Sequence, residues 1–167
     1  KRILIIDYNT KKVNVLGKIG LLQDLWNFGS INFISAPLKY KNTDDISNVY
    51  VVDNNTRIRR FNLNGDISFE YTNILNPNET IISIDSIIAG KTEECSFYLT
   101  SNNRILYTIG DEIKELVNVS LINMSQISSI RRTTSNSIDM FVLNNNTISH
   151  IVLDLSAGSN YIIRQTS

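Results

Sequence analysis

The sequence predicts an all-β repeat protein, and three observations predict it. Short runs rich in Val, Ile, Tyr, Phe and Thr recur along the 167 residues, the composition of strands rather than helices. Each run ends in a polar turn holding asparagine ("YNT", "DNN", "SNN", "NNN"), a residue that tolerates the positive φ of tight hairpins. The residues leading the run after each turn, Val13, Ile58, Ile105 and Ile148, lie 45, 47 and 43 residues apart. Such a period belongs to propeller blades and to some helical arrays. Helical arrays need apolar residues at i, i+3, i+4 and i+7 over longer windows, which these runs lack. The fold class read from these features is therefore an all-β β-propeller of about four blades, each of four antiparallel strands.

Four approximate repeats, 1–45, 46–91, 92–134 and 135–167, follow from that period. The first holds "ILIIDYNTKKVNVLG" from Ile3 as its hairpin, with "LWNFGS" and "INFISAPL" as third and fourth strands. The second holds "VYVVDNNTRIRRFNLNG" from Val49, then "GDISFEYT" and "TIISIDSII". The third holds "SFYLTSNNRILYTIG" from Ser96, then "EIKELVNV" and "QISSIRRT". The fourth holds "DMFVLNNNTISHIVLDL" from Asp139 and ends with "NYIIRQ" as a third strand, leaving it one strand short. Two stretches, 16–29 and 111–119, are locally ambiguous between strand and helical turn. Continuous apolar runs such as "ILII", "VYVV" and "SFYL" suit strands covered on both faces, as in blades sandwiched between neighbours.

With these residues in view, a resemblance can be stated. Residues 48–67 resemble a blade of the NHL and WD40 propeller families at Asp53, Arg57, Ile58, Phe61 and Gly65. Residues 84–110 are similar instead to the chromosome-condensation-regulator repeats, at Ala89-Gly90 and at Ile105-Leu106-Tyr107 through Gly110. The Gly-His and Trp-Asp pairs of WD40 repeats are missing, and seven glycines are few for condensation-regulator repeats. The resemblance implies an architecture and carries over no functional residue. Nearly four blades, starting abruptly at Lys1, read as part of a larger propeller whose remaining blades flanking sequence supplies, in preference to a closed four-bladed ring.

Composition narrows function. Sixteen basic and sixteen acidic side chains leave no net charge, so no global field recruits nucleic acid or acidic lipid. No apolar run approaches the roughly 20 residues of a membrane-spanning helix. A single cysteine, Cys95, makes no internal disulfide and favours an intracellular location, cytoplasmic or nuclear. The surplus of isoleucine and asparagine reads as the bias of an AT-rich genome. Five Asn-x-Ser/Thr triplets are close to chance expectation and say nothing of secretion.

Catalytic signatures are missing as well. The lone His150 sits inside a strand and reads as an ordinary hydrogen-bonding residue, and one histidine with one cysteine makes no zinc site. The pairs Asp44-Asp45 and Glu93-Glu94 read as solvated connectors. Asp7 and Asp53 recur at one repeat position, where a carboxylate accepts turn amides. No Gly-x-Ser-x-Gly, phosphate loop or His-Glu-x-x-His occurs. Arg57, Arg59 and Arg60 read as solvated or paired between strands. Trp26 and Phe28, the one aromatic concentration, and the basic pair Arg131 and Arg132 are the candidate interaction residues. The expectation is a non-enzymatic propeller scaffold, without cofactor or metal, binding protein partners in a larger assembly. Two alternatives stand beside it: a ligand-binding (carbohydrate or small-molecule) or catalytic propeller with a central-channel site, and a viral structural component.

Overall fold

The computed structural model describes residues 3–7, 12–16, 22–27, 31–36, 48–62, 67–89, 93–117, 119, 122–131, 137–154 and 164–166, with side chains described only from Ile31 onward. The chain is all-β. Four antiparallel sheets follow one another along the sequence, and within each the strands pair in chain order. The first sheet holds β1 (Ile3–Asp7), β2 (Lys12–Leu16) and β3 (Leu22–Asn27). The second holds β4 (Ile31–Ser35), β5 (Asn48–Asp53), β6 (Arg57–Asn62) and β7 (Ile67–Tyr71). The third holds β8 (Ile81–Ala89), β9 (Glu93–Thr100), β10 (Ile105–Ile109) and β11 (Glu112–Glu115). The fourth holds β12 (Met124–Arg131), β13 (Ser137–Asn144), β14 (Thr147–Asp154) and β15 (Arg164–Thr166).

Both ambiguous stretches contain strands, β3 and β11. The partition of strands among sheets differs from the sequence repeats by one strand. "INFIS", "IISIDSIIA" and "MSQISSIR" do not close the repeat before them; they pair with the hairpin that follows and lead its sheet. The hydrogen-bonding units are therefore 31–71, 81–115 and 124–166, and the three-stranded sheet is the first one, not the last. Connection length explains two of the three cases. Only residues 90–92 separate β8 from β9, and 132–136 separate β12 from β13, whereas nine and eight residues separate these strands from β7 and β11. Short connections favour antiparallel neighbours.

Three of the four asparagine turns behave as expected, and the first, at 8–10, lies outside the described residues. Asn54, Asn55, Asn103 and Asn145 all have positive φ, between 49° and 60°. Each leading strand carries a register shift near its start, between Ile31 and Phe33, Ile81 and Ser83, and Met124 and Gln126. A bulge there bends the strand and increases its twist.

Pairing registers bring the sheets into correspondence. Phe97 and Leu99 on β9 pair with Asp85 and Ser83; Phe141 and Leu143 on β13 pair with Ser128 and Gln126. Tyr50 and Val52 on β5 hold the same position beside Ser35 and Phe33. Alternate residues of β9 serve two cores. Tyr98 joins Tyr50, Val52, Ile58, Tyr71, Ile81 and Leu106 between the second and third sheets. Cys95, Phe97 and Leu99 join Ile105, Tyr107, Ile127, Ile138, Met140, Val142, Ile151 and Leu153 between the third and fourth. The inner strands β9 and β10 of the third sheet are thus buried on both faces, as their unbroken apolar pattern implies.

Matching faces of the third and fourth sheets differ in exposure. Leu99 is fully buried, whereas Leu143 at the matching position is 37% exposed. Leu99→Ala is expected to cost about 2–5 kcal/mol, and Leu143→Ala less than about 1 kcal/mol, measured by urea unfolding of the whole chain. Equal losses would contradict this account of the core.

Candidate functional site

The described charged side chains that lie buried are used to hold turns and to join sheets. Asp53, fully buried at the end of β5, accepts from Arg57 Nε at 2.7 Å and Arg57 Nη2 at 2.8 Å, and from Arg59. Its side chain was expected to accept turn amides; it takes two guanidinium groups instead, because β6 returns antiparallel and brings positions 57 and 59 alongside. Only its backbone carbonyl serves the turn, accepting from Thr56 N. The Arg59 guanidinium also lies 5.4 Å from the Phe61 ring centroid. The paired reading of this arginine cluster holds.

Between the second and third sheets, Arg60 and Tyr71 grip the turn joining β10 to β11. Arg60 donates to Gly110 O at 2.9 Å and to Asp111 Oδ1 at 2.6 Å, and Tyr71 Oη donates to Gly110 O at 2.7 Å. Gly110 adopts φ 58°, a backbone conformation glycine reaches without steric cost. At the same end of the strands, where Tyr50 pairs with Arg60, Asn48 Nδ2 donates to Glu94 Oε2 at 2.6 Å and Tyr50 Oη reaches it at 3.4 Å. Glu94 is therefore an inter-sheet acceptor on β9 and not a solvated connector, and burial together with this carboxylate pushes the Tyr50 phenol well above its ordinary range. Asp44-Asp45 and Asp7's side chain lie outside the described residues.

A depression of about 470 Å³ lies between the β5–β6 turn, β7 and the loop 72–80, with Arg57, Glu70, Tyr71, Asn78 and Glu79 in its walls. Glu79 is buried. Its Oε2 accepts from the Asn76 amide at 2.8 Å and from Arg104 Nη1 at 2.5 Å, and Arg104 also reaches Glu115 at 2.8 Å. Burial pushes the Glu79 carboxyl up, but hydrogen bonds from Thr100, the Asn76 amide and Arg104 outweigh it and hold it below the ordinary carboxylate value. Asp53 holds Arg57 and Arg104 holds Glu79, so these two charged groups of the depression are committed to the fold, while Glu70 stands exposed on its wall; no serine or cysteine is among its described lining residues. Among the described residues no three or more His, Cys, Asp or Glu side chains cluster as a metal site. Nor is any helix of the described residues long and apolar enough to cross a membrane.

A second surface is the outer face of the fourth sheet. A groove of about 250 Å³ there is lined by Gln126, Ile127, Ser128, Phe141, Leu143 and Ile148. Beside it His150 Nε2 lies 2.6 Å from Asp139 Oδ1, and its ring stacks on Phe141 with centroids 4.9 Å apart. His150 is thus a hydrogen-bonded strand histidine, as expected.

Of the four candidate interaction residues, Trp26 lies on β3 opposite Val13, in the first sheet. Arg131 ends β12 opposite Ile138, in the fourth. Their side chains, and Phe28 and Arg132 altogether, lie outside the described residues. The half-buried Phe141 and the exposed Leu143 and Ile148 went unnoticed in the sequence, although their match to Phe97, Leu99 and Ile105 was legible in the repeat. The chain matches no protein-family model and no curated protein.

Since a carboxylate with a depressed pKa contributes stability above its unfolded value and loses it as pH falls through its folded value, Glu79 makes the fold acid-sensitive below the ordinary range of a glutamate carboxyl. Unfolding free energy measured from neutral pH downward is expected to fall less steeply in Glu79→Gln than in the parent. Parallel curves would contradict the role given to Glu79.

Proposed function

We propose that these sheets are blades of a β-propeller and that the protein is a non-enzymatic scaffold, presenting turns and sheet faces to protein partners in a larger assembly. One observation carries the reading: successive sheets are joined by a repeated device. The leading strands β4, β8 and β12 touch in succession, as the inner strands of adjacent blades would. The asparagine turn of one sheet receives the start of the next: Ile81 N donates to Asn55 O at 2.7 Å, and Met124 N donates to Asn103 Oδ1 at 3.2 Å.

A scaffold works by rigid display. Turns held at positive φ and tied to two sheets keep one shape, so a partner meets a surface whose ordering entropy has already been spent in folding. Arg57 and Glu79, in the walls of the 470 Å³ depression, serve structure, which fits display better than chemistry. The buried thiol of Cys95, outside any disulfide, suits an intracellular setting.

The test is affinity purification of the whole chain from its own cells, followed by native mass spectrometry. The scaffold reading expects a stoichiometric protein partner, lost on changing exposed Ile67 and Ile122 to lysine while the thermal midpoint stays within a few degrees. A small molecule retained in the 470 Å³ depression, with no protein partner, would overturn it.

A further inference from the structure

We propose that the outer face of the fourth sheet docks one further four-stranded sheet of this same repeat, within the same polypeptide, and that Gln126 and Ser128 cap that sheet's leading strand. This rests on the propeller reading and names the contact that extends it.

The third sheet shows what such a face does when covered. Its Phe97, Leu99 and Ile105 are 0%, 0% and 2% exposed, packed under the fourth sheet. The pairing registers put Phe141, Leu143 and Ile148 at the matching positions of the fourth sheet. The residue types are identical at all three positions. Yet Leu143 is 37% and Ile148 63% exposed, and these side chains line an open groove. In the second sheet the same positions hold Tyr50, Val52 and Ile58, buried against the third sheet. Twice along the chain this set of positions is sealed by the next sheet.

The polar groups repeat the pattern. On β8, Ser83 Oγ accepts from Ile127 N at 3.2 Å, and Asp85 Oδ2 accepts from Ser129 N and from Ser129 Oγ, the latter at 2.7 Å. Ser83 and Asp85 thereby satisfy outward amides of the leading strand of the next sheet, an edge that would otherwise stand unpaired. The registers place Gln126 and Ser128 where Ser83 and Asp85 stand. Both carry a side-chain oxygen able to accept an amide, and both are exposed in the groove wall. The occupant is thus defined by chemistry: an antiparallel sheet with a bulged leading strand offering outward amides, and branched apolar residues on its second and third strands. The fourth sheet's own inner face, with Ile127, Met140, Val142 and Ile151, is a surface of that kind.

The test extends the full chain after Ser167 with a second copy of residues 116–167, which brings its own leading strand and connection. With methyl labels confined to the original 167 residues, a water-soluble paramagnetic agent reads accessibility at Leu99, Ile105, Leu143 and Ile148. The expected result is a several-fold fall in relaxation at Leu143 and Ile148, down to the level of Leu99 and Ile105, abolished by Ile148→Lys in the original sheet. If Ile148 stays accessible while Ile105 is protected, or the appended sheet stays unfolded, the docking proposal fails and the stacking of sheets stands. If Leu99 and Ile105 are accessible too, the propeller reading itself fails. Dimerisation of the unextended chain with Ile148 buried would transfer the face to a second copy and overturn the occupant named here.

Discussion

Strand β9 has no solvent side. Cys95, Phe97 and Leu99 point to one core and Ser96, Tyr98 and Thr100 to the other, and all six are fully buried. A single sheet cannot satisfy such a strand, because burying one face would leave the other in water at roughly 25 cal/mol per Å² of apolar surface. The third sheet therefore requires a neighbour on each side. That requirement orders the second, third and fourth sheets into a stack and makes each a condition of the next sheet's stability.

Apolar faces alone would let the sheets slide. Hydrogen bonds between them supply registration. The leading strand of each sheet is an edge, and an edge exposes amides that must find acceptors. Side chains of β8 and the Asn103 amide oxygen take this role for β12. Asparagine suits the turns for two reasons at once, since it tolerates positive φ and offers a side-chain carbonyl to a neighbouring strand. The turns thus link hairpin geometry to sheet stacking. Arg60, Tyr71 and Glu94 add polar fasteners at the margins of the second core.

Much of the local structure was legible in the sequence. Apolar run, asparagine turn and second run marked β5–β6, β9–β10 and β13–β14 because hairpin chemistry is written within a dozen residues. The partner of β8 was not legible. Its "IISIDSII" composition suits either neighbour, and the choice depends on which hairpin edge it completes, a property of connection length and stacking. The clasp of Glu79 by Arg104 spans 25 residues, so neither residue announces the other. Asp53 was noticed for its recurrence, but its true acceptor role depended on the strand pairing that returns Arg57 and Arg59 to its side. The exposed face of the fourth sheet was hidden for a different reason: its residues look like core, and only the absence of a covering sheet distinguishes them.

Side chains of one sheet cap the leading edge of the next. Native-state amide hydrogen exchange at Ile127 and Ser129 tests it most directly. Both amides should be protected to nearly the degree of the cross-strand amides of β13, and Asp85→Ala should release Ser129 selectively while β13 remains protected. Exchange at Ile127 and Ser129 as fast as in the exposed turn at 145–146 would contradict it.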